Sequence, residues 1–278
     1  MKKILYLTLL IFLSHNLFAK QLFLVRGLSR QSGHWGEDFK EKLQESLPDW
    51  NIFYLDLPGT GRLSHIKSPV RVKNFIPLMR KEISSNLKMD EDNYILGTSL
   101  GGIVVWEWIS QFPQDFKQVL LVNTPFRGVC KFKERIKPKM RIKLIKTGLV
   151  SKKKIKKRES LLYDINSNVK NSKQKERVVK DWVDLQKKQP ISKSTMIRQT
   201  LAGLTYRASF ASVNKNIKYY IFASEQDQLT DKACYQNLSN LLKAPLFWND
   251  WAGHGLPIDD PDWIIEKVLA WKDEIVAN

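Results

Sequence analysis

Ser99 is the residue of this chain whose type and surroundings most clearly indicate chemistry, because it stands at the centre of a glycine-x-serine-x-glycine pattern. The apolar residues 93–96 before it predict a buried strand, and residues 101–112 after it predict a helix. A serine on a sharp turn between a strand and a helix is a nucleophile elbow, which needs small residues two positions before and after the serine. Gly97 and Gly101 fill those positions. The pattern predicts a serine nucleophile, with a structural glycine turn as the alternative.

A serine hydroxyl needs a general base, and the chain has four histidines. Three of them, His15, His34 and His65, precede Ser99. After a nucleophile elbow the partners follow in the order serine, acid, histidine. His254 is the one histidine in that position, in a loop between two glycines. We therefore predict that His254 is the general base.

The acid is expected at the end of the strand that precedes the histidine loop. Residues 218–223 are rich in aromatic and β-branched side chains and predict that strand. Asp227 follows the strand in the expected position, and Glu225 and Asp231 are the neighbouring alternatives. We predict Asp227 as the acid.

Five segments together resemble the α/β-hydrolase superfamily from about Gln21 to the C-terminus. They are the residues 22–28 (LFLVRGL), residues 56–61 (DLPGTG), the elbow, the loop of Asp227 and the dipeptide 253–254 (GH). The second segment resembles the small carboxylesterases, including the carrier-protein methyl esterase of biotin synthesis. The resemblance implies the α/β-hydrolase fold and a Ser-His-Asp triad, and says little about the substrate. Our leading hypothesis is a serine hydrolase that cleaves a carboxylic ester through an acyl-enzyme, without a cofactor.

Members of this superfamily usually carry His-Gly where this chain carries Arg26 and Gly27. This difference at position 26 does not remove the oxyanion hole, because the hole is built from backbone N–H groups and not from that side chain. By the resemblance, its donors are Leu28 and Leu100. Arg26 places a fixed cation near the mouth of the substrate site if its side chain points inward.

Two other classes of function remain open on these residues. The same triad serves a thioesterase, an amidase or a lyase, and the fold also serves non-catalytic binding proteins. A metal site is not predicted, since Cys130 and Cys234 lack the spacing of zinc ligands. The sequence does not decide whether these two cysteines pair.

The elements that must position these residues alternate between strands and helices, which predicts a doubly wound, mostly parallel sheet. At 278 residues and 43% hydrophobic, the chain fits one domain with an insertion. We predict a core from residues 20–125 and 213–278, and an inserted helical, lysine-rich cap over residues 126–212. Asp259 and Asp260 are expected to cap the last helix, with Pro261 at its first position.

Residues 1–19 have the layout of a secretory signal peptide. Two lysines follow Met1, a mainly apolar stretch covers residues 4–13, and polar residues lead to Ala19. Leu17 departs from the small residue preferred three positions before a cut. We predict export, to the periplasm or beyond. The alternatives are that the segment is a first strand of the sheet or an uncleaved anchor, and that the protein is cytoplasmic.

The formal net charge of +18 is concentrated in one segment. Residues 131–158 hold fourteen Lys or Arg and one acid, so the net charge there is +13. Such a segment attracts an anionic membrane surface or an acidic carrier protein; a solvated face without a partner is the alternative. Nucleic acid is not expected, because no binding motif accompanies the charge. The sequence does not decide the oligomeric state.

Overall fold

The computed structural model describes residues 20–88, 92–210, 214 and 216–276. The predicted signal peptide, residues 1–19, lies outside the described residues. Among the helices of the described part, none has the length and apolar composition that a membrane crossing requires.

Six strands form a single sheet in which every pair of neighbours is parallel. The strands are β1 (Gln21–Val25), β2 (Asn51–Leu55), β3 (Asn93–Thr98), β4 (Gln118–Val122), β5 (Lys218–Ser224) and β6 (Leu246–Asn249). Their spatial order is β2-β1-β3-β4-β5-β6. The predicted parallel α/β architecture is confirmed.

Helices cover both faces of the sheet. They are α1 (Glu37–Ser46), α2 (Ile76–Glu82), α3 (Leu100–Gln111), α4 (Phe132–Arg135), α5 (Pro138–Leu149), α6 (Ile155–Asn166), α7 (Ser172–Lys188), α8 (Lys193–Thr205), α9 (Ala233–Leu242), α10 (Leu256–Asp259) and α11 (Pro261–Val276). Helices α2, α3 and α9 contribute to the apolar core on one face, and α1 and α11 contribute to the core on the other.

The central strands are apolar throughout because both of their faces are covered. All residues of β1, β3 and β4 are buried. Along β1, Phe23 and Val25 face one core while Leu22 and Leu24 face the other, as the alternation of side chains along a strand requires. This continuous burial explains why these strands appear in the sequence as unbroken apolar runs.

The strand register brings several loops to one edge of the sheet. Val25 pairs with Gly97, and Thr98 pairs with Val122, so β1, β3 and β4 end at the same level. Parallel sheets bind ligands at the carboxyl ends of their strands. The loops that begin at Arg26, Ser99 and Asn123 meet at this edge.

Between β4 and β5 lies a segment with α4 to α8 and no strand in its described residues; we call residues 126–210 the helical insertion. Its helices α6 and α7 share a small apolar core of their own, which includes Tyr163 and Trp182. A disulfide joins Cys130, near the start of the insertion, to Cys234 on α9, with 5.1 Å between the two Cα atoms. The insertion is thereby tied covalently to the rest of the fold.

Candidate active site

Ser99 occupies the sharp turn between β3 and α3 with φ 53° and ψ −118°. A positive φ is uncommon for a residue other than glycine and is held only where the surroundings enforce it. The turn is tight: a Cβ on Gly97 would lie 2.7 Å from the carbonyl carbon of Gly101. Both glycines of the pattern are therefore needed, because a side chain at either position would collide with neighbouring backbone.

The structure brings Ser99, His254 and Asp227 together although they are far apart in the chain. Nε2 of His254 lies 2.9 Å from Oγ of Ser99, and Nδ1 of His254 lies 2.7 Å from Oδ2 of Asp227. Both His254 and Asp227 are buried. The two alternative acids do not contact His254: Glu225 is exposed, and Asp231 accepts from the amide of Ala233.

The carboxylate of Asp227 is surrounded by donors. Its Oδ1 accepts from the amides of Leu229 and Thr230, at 2.7 Å and 2.9 Å, and its Oδ2 also accepts from the hydroxyl of Tyr235. Burial by itself raises the pKa of Asp227, but the charge of His254 and these hydrogen bonds outweigh burial and hold the pKa below its ordinary value. Asp227 is therefore an anion at neutral pH.

The loop that carries His254 is held against the helical insertion. The amide of Gly255 donates to the carbonyl oxygen of Asn166 at 2.7 Å, and a Cβ on Gly253 would lie 2.7 Å from the same oxygen. The glycines beside the histidine thus allow the close approach of the insertion.

Asp259 and Asp260 have different roles, and only Asp260 fulfils the predicted cap. Oδ1 of Asp260 accepts from the amide of Trp263 in the first turn of α11. Asp259 instead accepts from the amides of Gly253 and Asn168, at 2.7 Å and 2.8 Å. Burial raises the pKa of Asp259. Asp259 therefore joins the histidine loop to the insertion.

Asn123, which sequence reasoning missed, links three loops beneath the site. It is fully buried with φ 44°, a left-handed conformation that asparagine tolerates better than most residues. Its Nδ2 donates to the carbonyl oxygen of His254 at 2.9 Å and to Oγ of Ser224 at 3.0 Å, and its Oδ1 accepts from the amide of Ser224. The signal in the sequence was a polar residue directly after the apolar strand β4.

The two residues predicted to supply oxyanion donors, Leu28 and Leu100, both line the cavity beside Ser99. The backbone before Leu28 approaches the serine closely, since a Cβ on Gly27 would lie 3.2 Å from Cβ of Ser99. Within the described residues, neither leucine amide donates a hydrogen bond. Both N–H groups are therefore free to bind a ligand.

Gln199 of α8 fixes the loop that carries Leu28, and sequence reasoning missed it as well. Its Oε1 accepts from the amide of Ser29 at 2.9 Å, and its Nε2 donates to the carbonyl oxygen of Pro58 at 3.2 Å. Ser29 has φ 54°. The side chain of Gln199 therefore braces two loops of the core from the insertion.

Arg26 lies in the wall of the same cavity, buried, with its Cζ 4.8 Å from the ring centre of Trp35. In the part of the chain that the structure describes, its guanidinium forms no ion pair or hydrogen bond. Burial and the neighbouring Arg30 lower the pKa of Arg26 to about 9, so it is still a cation at neutral pH. Arg30 differs, because it pairs with Glu159 at 2.8 Å.

A cavity of about 470 Å³ lies over Ser99. This volume suits a small organic ligand. Most of its wall is apolar and comes from the helical insertion, through side chains that include Leu144, Leu162, Ile165, Ile191, Met196 and Leu204. The arrangement places the polar groups of Ser99 and His254 in the wall of a mostly apolar chamber, with Asp227 buried behind the imidazole.

Comparison with known proteins agrees with this fold. Among solved structures, the chain resembles a candidate lipase from Acinetobacter baumannii (22% identity, 94% of this chain and 85% of that chain covered, TM-score 0.70). It also resembles an esterase from Rhodococcus (15% identity, 91% and 90% covered, TM-score 0.68). A bacterial membrane phospholipase A is a third such structure (15% identity, 94% and 80% covered, TM-score 0.72).

A search of curated protein sequences finds no match. A family model described as alpha/beta hydrolase fold matches residues 20–260. The chain therefore belongs to the α/β-hydrolase family.

Proposed function

We propose that this protein is a serine hydrolase that cleaves a carboxylic ester, with Ser99 as the nucleophile, His254 as the general base and Asp227 as the acid. One observation carries the proposal: the continuous chain of contacts from Oγ of Ser99 through the imidazole to the Asp227 carboxylate, at 2.9 Å and 2.7 Å. These are the distances at which proton transfer between the groups is direct.

In the first half of the reaction, Oγ of Ser99 attacks the carbonyl carbon of the ester while Nε2 of His254 takes the hydroxyl proton. Asp227 stabilises the imidazolium that forms and fixes the ring with Nδ1 protonated. The tetrahedral intermediate then collapses: the bond to the leaving oxygen breaks, and His254 returns the proton to that oxygen. An alcohol departs and an acyl-enzyme remains.

The negative charge on the former carbonyl oxygen would be bound by the N–H groups of Leu28 and Leu100. A preorganised donor of this kind typically contributes about 3 kcal/mol to stabilisation of the transition state. Gln199 serves this step indirectly, because it holds the amide of Ser29 and so fixes the loop that carries Leu28.

In the second half, water replaces the alcohol. His254 takes a proton from the water as its oxygen attacks the acyl carbon, and the proton returns to Oγ of Ser99 as the acyl–oxygen bond breaks. A carboxylic acid leaves and the enzyme is restored. Atoms and charge balance without a cofactor.

The helical insertion would act as the cap that selects the substrate. Its apolar side chains cover the serine, so the group of the ester that enters the chamber should be apolar as well. An ester panel with acyl chains from two to twelve carbons is the direct measurement. A thioester and an amide of the best acyl chain, included in the same panel, distinguish an esterase from a thioesterase or an amidase.

Labelling with a fluorophosphonate probe tests the nucleophile. The wild type should be labelled and Ser99→Ala should not. Thr200→Ala is the matched control, because Thr200 on α8 also lines the cavity but lies outside the proposed triad and the oxyanion loop. Equal labelling of folded Ser99→Ala would contradict the proposal, and absence of labelling in the wild type would favour a binding protein.

We also propose that the chain is exported and cut after Ala19. The disulfide between Cys130 and Cys234 supports this proposal, because such bonds persist mainly in oxidising compartments. Cell fractionation with N-terminal sequencing should find the protein outside the cytoplasm and beginning at Lys20. A cytoplasmic protein that retains Met1 would contradict it.

A further inference from the structure

Three large apolar side chains both line the cavity over Ser99 and are exposed to solvent. They are Ile145 on α5, which is 65% exposed, and Ile197 and Leu201 on α8, which are 60% and 46% exposed. A residue that faces the cavity and the solvent at once lies at the cavity opening. These side chains therefore form the edge of the entrance.

The apolar surface extends along α5 beyond the entrance. Ile142 and Leu149 lie three residues before and four residues after Ile145, which places all three on one face of the helix. Leu149 is 76% exposed, the largest exposure among the big apolar side chains of the described residues. We call Ile142, Ile145, Leu149, Ile197 and Leu201 the apolar rim.

Exposed lysines lie on α5 beside the apolar stripe and in the segment that follows α5. Lys139, Lys143 and Lys146 occupy the sector of α5 beside the apolar stripe, about 100° further around the helix. Lys153, Lys154, Lys156 and Lys157 follow directly after α5 and are also exposed. Among the described residues, no carboxylate pairs with any of these seven lysines. We call them the basic flank.

A solvated face explains the basic flank but not the apolar rim, because apolar side chains gathered at one place on a surface are unfavourable in water. The anionic surface of a lipid bilayer matches both features. Apolar side chains of an interfacial helix insert among the acyl chains, while lysines at its flanks contact the phosphate groups of the lipids. An acidic protein would match the charge but would not by itself take up five aliphatic side chains.

We propose that α5 and α8 dock on an anionic lipid bilayer, with the apolar rim inserted between the lipids and the basic flank on their phosphate groups. Docking in this orientation places the cavity opening against the membrane. If the proposed ester hydrolysis holds, the substrate is then a membrane-borne ester that reaches Ser99 without passing through water. The docking itself does not depend on catalysis.

Sedimentation with lipid vesicles tests the docking. The protein carries Ser99→Ala so that no lipid is hydrolysed, and the vesicles are phosphatidylglycerol or phosphatidylcholine. We expect binding to phosphatidylglycerol that exceeds binding to phosphatidylcholine. Adding Ile142→Gln and Leu149→Gln should lower the partition coefficient about tenfold or more, because both side chains lose their apolar burial.

Leu241→Gln is the matched control, because Leu241 is an exposed leucine (48%) on α9, outside the rim. It should bind vesicles as the unmodified protein does. Replacing Lys153, Lys154, Lys156 and Lys157 by Gln should weaken binding most at low ionic strength, since salt screens exposed charges. Hydrolysis of a short soluble ester by Ile142→Gln/Leu149→Gln with Ser99 intact should stay at the wild-type rate, which shows that the variant is folded.

Three results would overturn the docking. The first is no binding to phosphatidylglycerol vesicles at low ionic strength, and the second is equal partitioning of the rim variant and its parent. The third is that this protein binds an acidic protein but does not bind the vesicles. The proposed function fails by a separate measurement: the wild type would then hydrolyse no ester, whether or not it binds vesicles.

Discussion

The hydroxyl of Tyr235 donates to Oδ2 of Asp227, the same oxygen that lies 2.7 Å from Nδ1 of His254. Burial and the adjacent carboxylate raise the pKa of Tyr235 well above its ordinary value, so the hydroxyl keeps its proton and remains a donor. Tyr235 follows Cys234, whose disulfide fixes α9 to the insertion. The position of the acid therefore depends on a helix that lies after it in the chain.

Tyr235→Phe should destabilise the protein at neutral pH and make its stability less dependent on pH in the acid range. Loss of a hydrogen bond to a buried carboxylate is expected to cost about 1–3 kcal/mol. The folded pKa of Asp227 lies below its unfolded value, so the carboxylate stabilises the fold above the unfolded pKa and this stability is lost as the pH falls through the folded pKa. Tyr235→Phe raises the folded pKa toward the unfolded one, so the variant has less of this stability to lose, and its difference from the wild type should narrow as the pH falls.

Urea unfolding at neutral pH and at several pH values down to about 4 measures this effect. The control is Tyr54→Phe, because the hydroxyl of Tyr54 on β2 has no hydrogen-bond partner among the described residues. Unfolding curves of Tyr235→Phe that coincide with the wild type at every pH would show that Tyr235 does not support the carboxylate.

The sequence predicts what depends on local pattern. Strand β4 occurs where its apolar run places it, at Gln118–Val122, because a strand covered on both faces must be continuously apolar. The approach of Ser99, His254 and Asp227 follows from the family resemblance, which fixes the order of the loops along one edge of the sheet.

The residues that support the site could not be predicted, because their partners are distant in the chain. Gln199 binds Ser29, which lies 170 residues away, and Asn123 binds the loop of His254, 131 residues away. Periodicity is also misleading on α8, where the polar Gln199 is buried and the apolar Ile197 is exposed. That inversion arises because Gln199 packs against polar backbone groups of the core, at Ser29 and Pro58.

Asn123→Ala should impair catalysis as well as stability. It removes the donor to the carbonyl oxygen of His254 and leaves the amide of Ser224 without its side-chain partner. We expect a loss of about 2–4 kcal/mol, since a buried group left unpaired costs about 1–3 kcal/mol and the left-handed φ adds strain for alanine. The kcat should fall while KM changes little, because the defect is in the placement of the imidazole.

Asn123→Gly separates the two contributions, since glycine adopts the same φ of 44° without strain but lacks the amide. It should be more stable than Asn123→Ala and equally slow in turnover. If Asn123→Gly retained full kcat, the hydrogen bond to the histidine loop would have no part in catalysis.

Reduction of the disulfide should destabilise the protein. Cys130 and Cys234 are separated by 104 residues, so their cross-link restricts a long loop of the unfolded chain, and its loss is expected to cost about 2–5 kcal/mol. The melting temperature with and without a reducing agent measures the effect. In Cys130→Ala/Cys234→Ala the reducing agent should change nothing, and an equal response of that variant would assign the effect to another cause.

Arg26→Met should stabilise the protein while it changes the choice of substrate. A buried cation without a paired anion is unfavourable, and methionine has a similar length and packs well beside an aromatic ring such as Trp35. We expect the free energy of unfolding to rise by about 1–3 kcal/mol. Arg26→Lys, which keeps the charge but loses the guanidinium over the ring of Trp35, is the control and should not gain stability.

Because Arg26 lies in the cavity wall, Arg26→Met should lose kcat/KM for an ester that bears a free carboxylate more than for a neutral ester of equal length. A lower stability of Arg26→Met in urea unfolding would mean that the guanidinium is compensated in the folded protein.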